Sequence, residues 1–121
     1  MRVLILGGDG YLGWPTAMQL SAQGHDVTVL DNYLRRRLAQ ESDSAPLVAT
    51  PDLVERARIF KEVSGWTVDV VIADCTNYRA LSDAFIRSEP DAVVHYAEQP
   101  SGPYSMSGYA EAHLTINNNL N

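Results

Sequence analysis

The first thirty-one residues constrain the fold more than any other part of the chain. Val3-Leu4-Ile5-Leu6 is an unbroken apolar run closed by Gly7 and Gly8, the form of a strand buried on both faces of a parallel sheet. From Tyr11 to Gln23, Leu12, Ala17, Met18 and Leu20 suit a helix, with Pro15 early enough for the first turn and Gly24 as a stop. Val27 to Leu30 returns to strand character. Strand, glycine turn, helix and strand within about thirty residues make one βαβ unit.

The rest of the chain continues the alternation. Asp31 to Ala49 is polar and without period, and reads as an exposed excursion near a ligand. Thr50 as N-cap and Pro51 at the first helical position open a helix that Gly65 ends, with Leu53, Ala57, Phe60 and Val63 on its apolar side. Val68 to Ala73 reads as a third strand, Tyr78 to Ser88 as a helix with Leu81, Ala84 and Phe85 inward, and Ala92 to Tyr96 as a fourth strand. Helical character returns from about Ser107. The expected fold class is α/β, a Rossmann-type doubly wound parallel sheet whose right-handed crossovers give the order 3-2-1-4. With only four strands the sheet is incomplete, so a truncated chain and association of copies along the fourth strand are expected.

Size and charge narrow the function. At 121 residues the chain is one domain, residues 1–121, with room for a core. Nine basic against fifteen acidic residues give a formal charge of −6, which argues against a nucleic-acid partner unless Arg35, Arg36 and Arg37 form a local patch. No apolar run approaches the ~20 residues of a membrane span, and Arg2-Val-Leu-Ile-Leu passes at once into glycines, unlike a signal or transit peptide. The single Cys75 cannot build a disulfide framework, so a cytoplasmic location is expected. No side chains have metal-ligand spacing, and no Ser, Tyr or Lys forms a recognisable catalytic set.

Gly7, Gly10 and Gly13 lie between the first strand and first helix as G-x-x-G-x-x-G. Glycine belongs there when the turn is tight, when backbone must approach a pyrophosphate at a helix N-terminus, and when helix and strand pack closely. Asp31 ends the second strand twenty-one residues after Gly10, where a carboxylate takes a ribose 2′-hydroxyl and repels a 2′-phosphate, so NAD is favoured over NADP. The arginines after it could equally serve a phosphate, the adenine, or a solvated helix start. Asp74 suits either an adenine contact or a cap. Cys75 reads as a small packed residue, and His95 as a packed strand residue. Glu98 to Ser105 is a Pro- and Gly-shaped polar loop on the same carboxyl edge, read as facing the substrate.

These residues resemble a known family. Gly7-Gly-Asp-Gly-Tyr-Leu-Gly-Trp14, Asp31-Asn32 with Arg36-Arg37, Val94-His-Tyr-Ala-Glu-Gln99 and Pro103-Tyr-Ser-Met106 are similar to the N-terminal part of the UDP-sulfoquinovose synthases, extended short-chain dehydrogenases/reductases related to nucleotide-sugar epimerases and dehydratases. The resemblance implies a tightly held NAD⁺ that transiently oxidises UDP-glucose at C4, and sulfite addition at C6 to give the sulfolipid head-group donor UDP-sulfoquinovose. It implies that Gly7, Gly10, Tyr11, Leu12, Asp31, Asn32, Arg35 and Asp74 surround the dinucleotide, with Gln99, Ser101 and Tyr104 nearer the sugar; Gly13 of the glycine motif and Cys75 after Asp74 are assigned to the dinucleotide with them. Asn119 matches the Asn of the family's Asn-x-x-Gly-Thr pattern, which supports the active-site backbone. Pro100 stands where plant-type members carry Arg. The family's catalytic Thr and Tyr-x-x-x-Lys pair fall beyond position 121, so no catalytic residue is assigned here. A 4-epimerase, a 4,6-dehydratase and a free-standing NAD-binding module share the same first half.

Overall fold

Strands β1 (Arg2–Leu6), β2 (Asp26–Asp31), β3 (Val68–Ile72) and β4 (Ala92–His95) pair in parallel in the computed structural model, which describes residues 1–44 and 46–120. The order is β3-β2-β1-β4, the order expected from right-handed crossovers. The two-residue period of β1 divides the core. Val3 and Ile5 join Val27, Val29 and Val68 on one face, beneath Trp14, Ala17 and Leu53; Leu4 and Leu6 join Leu30 and Ala84 on the other. The first face is covered by helices α1 (Gly13–Ala22) and α3 (Leu53–Ser64), the second by α4 (Tyr78–Ser88).

Register aligns the strand ends. Leu6 is opposite both Leu30 and His95, and Asp31 is opposite Ile72. The glycine turn, the chain after β2, the chain after β3 and the loop after β4 therefore emerge side by side at one carboxyl edge.

Three local expectations are corrected. The segment after β2 contains a helix, α2 (Leu34–Glu41), in which no residue is buried; its apolar residues, Leu34, Leu38 and Ala39, are only half-buried, and polar contacts hold it. Ala45 of the stretch read as irregular lies outside the described residues, as does Asn121. The N-cap of α3 is Asp52, not Thr50: the Asp52 carboxylate accepts the Glu55 N–H at 2.9 Å, and an acid reaches that donor at full hydrogen-bond strength. Helix α1 begins at Gly13, so Tyr11 and Leu12 belong to the turn and are exposed. The loop after β4 includes one short helix, α5 (Gly102–Ser105), before α6 (Tyr109–Leu120).

Candidate active-site cleft

The glycine turn is shaped by close backbone approach. Gly7 has φ +87°, and a Cβ there would lie 2.6 Å from the Tyr96 carbonyl carbon, so β1 and the loop after β4 meet only because the side chain is missing. A Cβ on Gly13 would run into the Gly7 carbonyl. Gly10 differs, since the nearest protein atom to its Cβ would be 3.4 Å away. The protein alone does not demand glycine there; the open side of Gly10 faces the cleft. Helix α1 starts in this turn without a side-chain cap, whereas Asp52 and Asn77 cap α3 and α4. Its first-turn N–H groups offer a site for an anion.

Asp31 sits beside the turn with both oxygens engaged. Oδ2 accepts the Asp9 N–H at 2.9 Å and Oδ1 the Tyr33 N–H at 2.7 Å. Burial pushes its carboxyl above the ordinary range, against those two N–H donors. Each oxygen keeps a lone pair for a further donor. The next residues are shaped to let α2 start: Asn32 Oδ1 accepts the Leu34 N–H at 2.8 Å, and Tyr33 adopts a left-handed backbone at φ +59°.

A polar cluster that sequence reasoning missed braces this corner. Arg36 donates to both oxygens of Asp9, from Nε at 2.6 Å and Nη2 at 2.7 Å, and also to the carbonyls of Thr50 and Pro51. Arg56 Nη1 reaches Asp9 Oδ1 at 3.0 Å while its guanidinium lies 4.7 Å from the centroid of Trp14. Asp9 and Arg56 belong to elements 47 residues apart, so no local spacing could have revealed the pair. The Tyr33 hydroxyl accepts the Leu53 N–H at 3.1 Å, joining the same corner to the start of α3.

Together these elements enclose a cleft of about 960 Å³ at the carboxyl edge of the sheet, large enough for a sizeable ligand. Every residue assigned above to the dinucleotide lines it except Asp74, and of those assigned to the sugar Gln99 lines it whereas Ser101 and Tyr104 do not. Asp74 Oδ1 accepts the N–H and hydroxyl of Thr76, and the helix cap is instead Asn77. Burial opposes ionisation of Asp74, but Thr76, the Asn32 amide and the Arg37 charge outweigh it and hold the carboxyl below its usual range. Burial pushes the Cys75 thiol up, away from a reactive thiolate. His95 also lines the cleft, with its ring exposed rather than packed.

Gln99 is buried and its amide is committed within the chain. Oε1 accepts the Ser101 N–H at 2.6 Å, and Nε2 donates to Thr115 Oγ1 at 2.8 Å and to the Ser101 carbonyl. Its backbone is clasped by Asn119, whose Oδ1 accepts the Gln99 N–H at 2.8 Å and whose Nδ2 donates to the Gln99 carbonyl. Ser101 caps α5 by accepting the Tyr104 N–H. Among the described residues no group of three or more His, Cys, Asp or Glu is placed to hold a metal ion, and no helix is long and apolar enough to cross a membrane.

Residues 3–121 match the NAD dependent epimerase/dehydratase family. Over 119 residues the chain is 42% identical to the UDP-sulfoquinovose synthase of Sulfolobus acidocaldarius and 38% identical to the chloroplastic UDP-sulfoquinovose synthase of Spinacia oleracea. Each match covers 98% of this chain but 30% and 25% of the relative, so the chain spans less than a third of their length. In three dimensions it resembles the UDP-glucose 4-epimerase of Bifidobacterium longum, solved in complex with NAD⁺ and UDP, at a TM-score of 0.73 and 22% identity, covering 99% of this chain and 30% of that one. At that identity the likeness is one of fold.

Proposed function

Because the chain belongs to the NAD dependent epimerase/dehydratase family, we propose that it is the NAD-binding portion of a nucleotide-sugar-modifying enzyme, and that the enzyme is of the UDP-sulfoquinovose synthase type, joining sulfite to UDP-glucose. The observation that carries the binding half is Gly10: the fold leaves room for a side chain there, yet the position is glycine and opens onto the cleft between Asp31 and the N-terminus of α1. That is the space a dinucleotide backbone would fill, so these residues fit the group. The sulfite half is supported by the 42% identity to a UDP-sulfoquinovose synthase.

Bound NAD⁺ supplies a reversible hydride acceptor for the sugar. The residues of this chain then have separate tasks. Gly10 admits the diphosphate, the first-turn N–H groups of α1 meet its charge, and Asp31 accepts from a ribose hydroxyl through its remaining lone pairs. Gln99 and Asn119 hold the loop after β4 beside the sugar. Calorimetric titration of the chain with NAD⁺ and NADP⁺, repeated on Asp31→Ala, tests the first half. Saturable NAD⁺ binding, weakened by the substitution, is expected; binding of neither dinucleotide would refute it. Turnover of UDP-glucose that needs sulfite, in the enzyme containing this chain, tests the second.

A further inference from the structure

The Asp9 cluster has no role in the reading above. Its N–H donates to Asp31, so the Asp9 side chain stands beside the carboxylate assigned to the ribose, and Asp9, Asp31, Arg36 and Arg56 all line the cleft. We propose that Asp9 is a cofactor-specificity residue, which by occupying the Arg36 and Arg56 guanidiniums denies them to a 2′-phosphate. Discrimination against NADP⁺ then rests on two carboxylates, Asp31 by repulsion and Asp9 by sequestration. The inference rests on the dinucleotide reading.

Geometry and charge both favour it. A guanidinium presents the same planar fork to a carboxylate and to a phosphate. Asp9 takes that fork from Arg36 at both oxygens, 2.6 and 2.7 Å, the arrangement a phosphate would otherwise receive. Arg56 adds a third contact at 3.0 Å. The Asp9 side chain is only 9% exposed, so water competes little for these bonds. The Thr50 and Pro51 carbonyls accept from the Nη atoms of Arg36 at 2.8 and 2.6 Å and help to fix its guanidinium against Asp9. Losing the Asp9 charge leaves Arg36 and Arg56 with one carboxylate fewer and makes this corner more positive beside the ribose edge, which favours a 2′-phosphate against the repulsion of Asp31. Arg35 and Arg37 are exposed and play no part in the cluster.

The test is titration of NAD⁺ and NADP⁺ into the wild-type chain, Asp9→Asn, Asp9→Ser and the double variant Asp9→Asn/Arg36→Ala, with each variant's melting temperature recorded. Asp9→Asn keeps the size of the side chain; Asp9→Ser provides a second charge-free variant should the amide fold poorly. In either folded variant the ratio of NADP⁺ to NAD⁺ affinity should rise about tenfold or more, the scale of a released charge-assisted contact. Removing Arg36 as well should cancel the gain. If both affinities fall by one common factor, or if NADP⁺ binding does not move while NAD⁺ still binds, Asp9 only braces the turn and the proposal is overturned. Absence of NAD⁺ binding to the wild-type chain would instead remove the dinucleotide reading itself.

Discussion

Gly7 and Gly10 carry the same side chain for different reasons. At Gly7 the backbone is left-handed and the Tyr96 carbonyl carbon occupies the place of a Cβ, whereas at Gly10 only the Gly7 oxygen comes within 3.4 Å. Gly7→Ala should therefore destabilise the fold by about 2 kcal/mol or more. Gly10→Ala should leave the melting temperature nearly unchanged and weaken NAD⁺ by about tenfold, through a methyl group set against the diphosphate. Thermal melting and calorimetry on the two variants distinguish these roles; equal loss of stability at both positions would contradict the assignment. The glycines and Asp31 are legible in the sequence because their geometry is local to one βαβ unit. Asp9 is not, since its partners Arg36 and Arg56 lie 27 and 47 residues away, and an acid in a glycine turn shows nothing of them. Gln99 was visible as a polar residue on the right edge, but its buried amide bonds to Thr115 and Ser101 depend on where α6 lies.

Among the elements, those that bury an apolar stripe are the ones the sequence announces. The four strands and α1, α3 and α4 are found where apolar spacing places them, within a few residues at their ends, and α6 where helical character returns, although it buries no residue. Helix α2 escapes because Leu34–Glu41 contains three arginines and buries no residue; Asn32, Asp31 and the Asp9 pair hold it instead. The start of α3 shows how close candidates compete. Thr50, two residues too early, donates only to the Val48 carbonyl, while Asp52 accepts from the helix. Asp52→Ala should cost about 1 kcal/mol in denaturant unfolding, and Thr50→Ala less than about 0.5 kcal/mol. The reverse order would restore Thr50 as the cap.

For the whole molecule, the order β3-β2-β1-β4 is the doubly wound arrangement expected with right-handed crossovers, and it leaves β3 and β4 outermost among the described strands. Val93 on β4 is 43% exposed and Ile72 on β3 50%. These exposed apolar residues offer edges at which a further strand would pair. The attachment of α6 has a different thermodynamic character. No residue of this helix is buried, and Asn119 and Thr115 tie it to Gln99 through amide and hydroxyl bonds. Releasing α6 would expose little apolar surface, so the event carries a small heat-capacity change and little denaturant dependence. Its backbone amides should accordingly exchange with deuterium by local opening, well before those of the sheet and at a rate that urea hardly alters.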